Sequence, residues 1–105
     1  MPANPTICAA IKLMKVVEFD YNDADGKPHH RVVEPYAYGV TAQGKSVLCG
    51  CQIEGSNGGG ELPSWDVFRV DRMRNLRMLD RTFAGDAPGC ANDKPDLYPI
   101  YSKVP

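Results

Sequence analysis

The chain has no run approaching the roughly 20 apolar residues that a helix needs to cross a bilayer, so no membrane-spanning helix is expected. It has no excess of either charge: twelve Lys and Arg stand against thirteen Asp and Glu, a formal net charge of -1. Such a balance excludes coating nucleic acid by bulk attraction, and any anion binding has to come from a local cluster. There is no internal repeat, which argues against a solenoid. The opening MPANPTICAAIKLMK lacks a charged lead followed by a long apolar stretch. No export signal is therefore expected, and the four cysteines (Cys8, Cys49, Cys51 and Cys90) are expected as free thiols in a cytoplasmic protein.

What is present suits one domain of 105 residues with one modest core. Asn4 can cap a short helix over about residues 5–15, with Pro5 at its first position and Ile7, Ile11 and Met14 on one face. The period then changes. Val17, Phe19 and Tyr21 alternate with Glu18 and Asp20, as in a strand with one buried face. A turn at Asp25-Gly26 leads to HRVVEPYAYGV, where Val32, Tyr36, Tyr38 and Val40 are expected on one side. Pro35 cannot donate to a ladder, so it implies an edge or a bulge.

A third strand, SVLCGCQIEG, aligns Val47, Cys49, Cys51 and Ile53. The glycine-rich GSNGGGELPS connects it to WDVFRVDR and then to NLRML. Beyond Phe83 the chain is rich in Pro, Gly and Asp, and DLYPIYSKVP at the end is too proline-rich for a central strand. The expected fold is mainly β: a small antiparallel barrel of about five strands over 16–83, a short N-terminal helix, and an extended segment over 84–105.

The stretch GVTAQGKS, Gly39 to Ser46, matches the G-x-x-x-x-G-K-[ST] pattern of phosphate loops. Such a loop needs a helix starting at its lysine, so that backbone N–H groups and the helix dipole point at the phosphates. Here an alternating, β-branched strand follows, and no βαβ unit fits the chain. Gly44-Lys45 reads as a hairpin tip, and the match carries no nucleotide hydrolysis.

Five arginines, Arg69, Arg72, Arg74, Arg77 and Arg81, lie between Trp65 and Arg81 against three aspartates, Asp66, Asp71 and Asp80. A guanidinium offers phosphate two parallel hydrogen bonds and keeps its charge. The plainer alternative is a solvated face, with Arg72 braced by Asp71 or Glu34. Tyr21, Tyr36, Tyr38 and Trp65 could stack on bases, although Tyr36 and Tyr38 share the parity of core residues. Cys49 and Cys51 point the same way on a strand, and Cys90 with His29 or His30 could complete a zinc set. Without a C-x-x-C knuckle, buried filler is the simpler role, and no metal or cofactor is expected. Glu34 and Asp71 could form an acid/base pair, but no nucleophile accompanies them, so an enzyme is not expected.

The ordered set R-V-V-E-P at Arg31–Pro35, SVLCGCQ, and F-R-V-D-R at Phe68–Arg72, with AAIKLMKVVEFDY and D-A-D-G-K before it, resembles a WYL domain from about Ile7 to Phe83. The naming tripeptide would fall at Ser46-Val47-Leu48, where only the leucine is kept. Family members are commonly the sensor half of bacterial transcription regulators, and the resemblance implies a divergent member standing alone. It further implies an SH3- or Sm-like barrel whose ligand is single-stranded nucleic acid or a nucleotide. Arg31 matches a basic family position on the ligand surface. The expected ligand-binding residues are therefore Arg31, Arg69, Arg72, Tyr21 and Trp65. The alternative is a protein-interaction or oligomerisation module that pairs with a partner chain or its own copy through an open strand edge.

Overall fold

A computed structural model of the chain describes residues 4–22, 26, 28–55, 62–85 and 100–103. Asp25 of the expected turn, the glycine-rich connection over 56–61, Cys90 and the segment over 86–99 lie outside the described residues.

Helix α1 runs Pro5–Leu13, and the Asn4 side chain accepts hydrogen bonds from the backbone of Thr6 and Ile7. It ends earlier than the expected 15 because Met14 takes the left-handed conformation at φ 54 and caps it. Ile7, Ala10 and Ile11 are buried. Strands β1 (Lys15–Asn22), β2 (Pro28–Val40), β3 (Ser46–Gly55), β4 (Ser64–Arg69) and β5 (Met73–Thr82) form one antiparallel sheet in the order β4-β3-β2-β1-β5. A last short strand, β6 (Ile100–Lys103), pairs with β2 at Ala37–Gly39, beyond the part of β2 that β1 covers. The tail thus docks along the domain as a flanking strand.

The chain is mainly β, an antiparallel sheet with one short helix. Closure into a barrel, expected from the sequence, is not made: no ladder joins β4 to β5 among the described residues. A 3₁₀ turn, Val70–Arg72, separates those two strands, and β5 pairs with β1 instead.

One face of the sheet packs Val17, Phe19, Tyr21, Val33, Tyr38, Leu48 and Phe68 against α1 as the main core. On the other face Ala37, Val47 and Cys49 pack with Trp65 in a smaller cluster. β2 is buried on both faces, which explains its nearly unbroken apolar run.

The expectation that Val32, Tyr36, Tyr38 and Val40 share one side is corrected. A register shift between Pro35 and Ala37 makes Tyr36 an extra residue of β2 and breaks the alternation. Tyr38 enters the main core, whereas Tyr36 packs against Trp65 and Phe83. Pro35 sits in the middle of the sheet opposite Gly50, at the bulge that tolerates it.

Candidate functional site

The β2–β3 hairpin is tied by the Thr41 backbone N–H donating to the Lys45 carbonyl (2.9 Å) and the Gly44 N–H to the Thr41 carbonyl (2.9 Å). Gly44, at φ +80, supplies the conformation that this tight reversal needs. Lys45 emerges exposed at the root of β3. Val47 of β3 pairs with Arg69 of β4. Carrying that register two residues further brings Lys45 level with Asp71 in the 3₁₀ turn, which also holds Arg72.

The Arg69 guanidinium donates to Asp71 Oδ2 at 2.7 Å, the two side chains being 35% and 60% exposed. This hydrogen bond is the main cause that lowers the Asp71 carboxyl below the usual aspartate range, with the charges of Arg69, Lys45 and Arg72 adding to it. Arg69 is thus in direct contact with this carboxylate, while Lys45 and Arg72 act on it through their charge. Arg69 Nε is buried and has no hydrogen-bond partner among the described residues. On β4, Trp65, Val67 and Arg69 share a face; Val67 is exposed and Trp65 half-buried.

Arg31 and Tyr21 stand apart from this group. Arg31 is 6% exposed, donates to Gln52 Oε1 at 2.8 Å, and lies over the rings of Tyr21 (5.3 Å to centroid) and Phe68 (5.7 Å). Gln52 is itself fixed by donating to the Glu54 carbonyl at 3.1 Å. Tyr21 is 9% exposed, packs edge-on against Phe19 and Phe68, and accepts the Arg69 backbone N–H on its hydroxyl at 2.9 Å. Of the five residues expected at the site, Arg69, Arg72 and Trp65 lie at or near the surface. Arg31 and Tyr21 form the interior layer that anchors the backbone under Arg69. The physical reason is register: Arg31 pairs with Phe19 of β1, so its side chain faces the core.

Lys45 is the residue that sequence reasoning passed over as a mere hairpin tip. Its neighbours arrive through the β3–β4 ladder, across the glycine-rich connection. The one available signal was that the hairpin fixes which end of β3 must meet the end of β4.

Two other arginines of the cluster have acidic partners. Arg77 bonds Glu18, and Arg81 lies 3.4 Å from Glu54, so both act as surface braces. A bulge with Asn75 at φ 56 opens a cavity of about 420 Å³ between β1 and β5, floored by Phe19 and Leu76. At its rim Asn75 donates to Asp20 at 2.9 Å, while His30 lies 3.3 Å from Glu18 and 3.6 Å from Asp20. Its two acids, Glu18 and Asp20, thus already have partners.

The buried Cys51 thiol is pushed up by desolvation and by the nearby charges of Glu34 and Asp66, which makes it a poor nucleophile. Among the described residues no group of His, Cys, Asp and Glu is arranged to hold a metal ion. The zinc set weighed from the sequence depends on Cys90, outside those residues.

The family profile of the WYL domain matches residues 2–78. The chain belongs to the WYL domain family. The matched part of this WYL domain contains Lys45, Arg69, Asp71 and Arg72. Among solved structures it is similar to proteasome accessory factor B/C (PafBC) of Arthrobacter aurescens, with a TM-score of 0.62 and 26% sequence identity. The similarity covers 75% of this chain and 12% of that one, so the WYL domain described here spans a small part of its neighbour's length. No curated protein matches the chain.

Proposed function

We propose that this WYL domain is a regulatory, ligand-sensing module that acts by binding, without catalysis, and that its ligand is a single-stranded nucleic acid or a nucleotide. Lys45, Arg69 and Arg72 hold phosphate, and the β4 face carrying Trp65 and Val67 contacts a base. The observation that carries this reading is the half-exposed Arg69 at the end of β4, 2.7 Å from Asp71, with Arg72 in the adjoining turn and Lys45 level with it across the β3–β4 ladder, in a chain of net charge -1. An aromatic or apolar platform beside a basic patch is the general design for single strands. The similarity to a proteasome accessory factor supports a regulatory role. The strand order, with its two end strands joined by a short 3₁₀ turn, supports an SH3- or Sm-like barrel left open between β4 and β5. A cytoplasmic location belongs to the same proposal.

Fluorescence anisotropy with a short labelled oligothymidylate at two salt concentrations tests the reading. Each phosphate neutralised on a single strand contributes about 0.7 to the slope of log affinity against log salt. Three cations therefore predict a slope near -2. Arg69→Ala/Arg72→Ala is expected to flatten that slope and weaken binding on the order of 10- to 100-fold at low salt, with the unfolding midpoint little changed. Undetectable wild-type binding, or an unchanged affinity in the variant, contradicts the reading.

A second reading is favoured by the open sheet. β4 and β5 end the strand path, and each carries an exposed apolar residue, Val67 and Met78. A partner strand or a second copy could add there. Light scattering separates the two: a dimer that forms without nucleic acid and dissociates in an edge variant such as Val67→Lys supports this alternative.

A further inference from the structure

We infer that Asp71 is a built-in competitor for the anion site, occupying the position that a ligand phosphate takes and setting how strong an anion must be to enter. This deepens the phosphate-binding reading above and rests on it. The carboxylate accepts from the Arg69 guanidinium at 2.7 Å, in the charge-assisted geometry that phosphate oxygens also use. Arg72 belongs to the same 3₁₀ turn, and the β3–β4 register brings Lys45 level with Asp71, so two further cations border the pair.

The arrangement is also reversible. Both side chains of the ion pair are substantially exposed, and exposed pairs of this kind are weak. An incoming phosphate exchanges one hydrogen bond to Arg69 for another and releases Asp71 to water. Asp71 lies two residues from Arg69 in a three-residue 3₁₀ turn, so its carboxylate swings aside without any change in the sheet. A weakly held monoanion gains too little from that exchange. A strand or nucleotide that also engages Lys45 and Arg72 gains enough.

A purely structural role for Asp71, holding Arg69 in its binding posture, makes the opposite prediction, and this separates the two. The full chain, Asp71→Asn, Asp71→Ser and the charge-retaining Asp71→Glu are titrated with the labelled oligothymidylate, with thymidine monophosphate and inorganic phosphate as competitors. Removing one like charge beside a surface-bound phosphate predicts about three- to tenfold tighter binding in Asp71→Asn and Asp71→Ser at low salt, shrinking as salt is raised. Asp71→Glu stays close to wild type. The neutral variants also let inorganic phosphate compete at lower concentration than in wild type. Thermal unfolding confirms that each variant is folded, and the Ser variant replaces the Asn variant if the latter is not. Wild-type binding with no gain, or with a loss, in the neutral variants overturns the competitor role alone. Absence of binding by every protein overturns the phosphate reading and this inference with it.

Discussion

Arg31→Ala is expected to lower the stability of the domain by about 3 kcal/mol while leaving anion binding by the surviving folded protein close to wild type. The guanidinium lies in the interior, over the rings of Tyr21 and Phe68 and hydrogen-bonded to Gln52. Truncation removes that cation–π contact and the hydrogen bond to the fully buried Gln52. A hydrogen bond from a charged group contributes roughly 1.5–3 kcal/mol, and the space left beneath the two rings adds to the loss. In a domain of this size the sum corresponds to a fall in the unfolding midpoint of roughly 15 °C. Arg31→Met, which keeps the aliphatic stem, is expected to recover about half of the loss, because an apolar residue of similar volume often replaces a buried charge at small cost. Thermal unfolding followed by circular dichroism reads both. A thermally neutral Arg31→Ala that lost nucleic-acid binding would return Arg31 to the ligand surface.

Gly50→Ala is expected to cost about as much, for a steric reason. Gly50 faces Pro35 across the β2–β3 ladder, where the bulge draws the two backbones together. A Cβ at Gly50 would lie 2.5 Å from the Glu34 carbonyl oxygen and 2.7 Å from Val33 Cγ1. The first of these is backbone in a central strand, so it cannot rotate away. Relief requires the β2–β3 pairing to open, which disturbs both core clusters. Overpacking of this type typically costs 1–3 kcal/mol and sometimes more, and the backbone contact puts the expected loss at about 3 kcal/mol. Chemical denaturation should show a lower midpoint with an unchanged slope. An alanine variant as stable as wild type would mean that the two strands do not approach as described.

Most of the fold was legible because the β1 pattern is simple. Val17, Phe19 and Tyr21 alternate with charged residues, and all three enter the main core. The Gly44 hairpin was equally plain, because the chemistry of tight turns is local. What the sequence hid was non-local. Tyr36 and Tyr38 have the same parity but lie in different clusters, since a bulge at Pro35/Ala37 resets the register. Residue type alone does not reveal a bulge of that kind.

The placement of the candidate residues was half legible for the same reason. Arg69 and Arg72 stood out as neighbours in sequence, and they remain neighbours in space. Arg31 joined them on grounds of charge and family position, but its partner in the ladder is Phe19, which turns it inward. Lys45 was discarded with the phosphate-loop pattern that contained it. The pattern was rightly rejected, because a strand and not a helix follows it; the lysine is nevertheless brought level with Asp71 for an unrelated reason, the pairing of β3 with β4. Gln52 drew no notice because a polar residue near a strand end is ordinarily solvated. Here it is fully buried as the partner that makes an interior arginine tolerable.

Titration of ¹⁵N-labelled protein with unlabelled oligothymidylate, followed by amide and indole chemical shifts, tests the anion site most directly. The account predicts that the largest changes cluster at Lys45, Arg69, Asp71, Arg72 and the Trp65 indole, with the surroundings of Glu18, Asp20 and His30 unmoved. Changes confined to the cavity between β1 and β5, or none at saturating oligonucleotide, would contradict it.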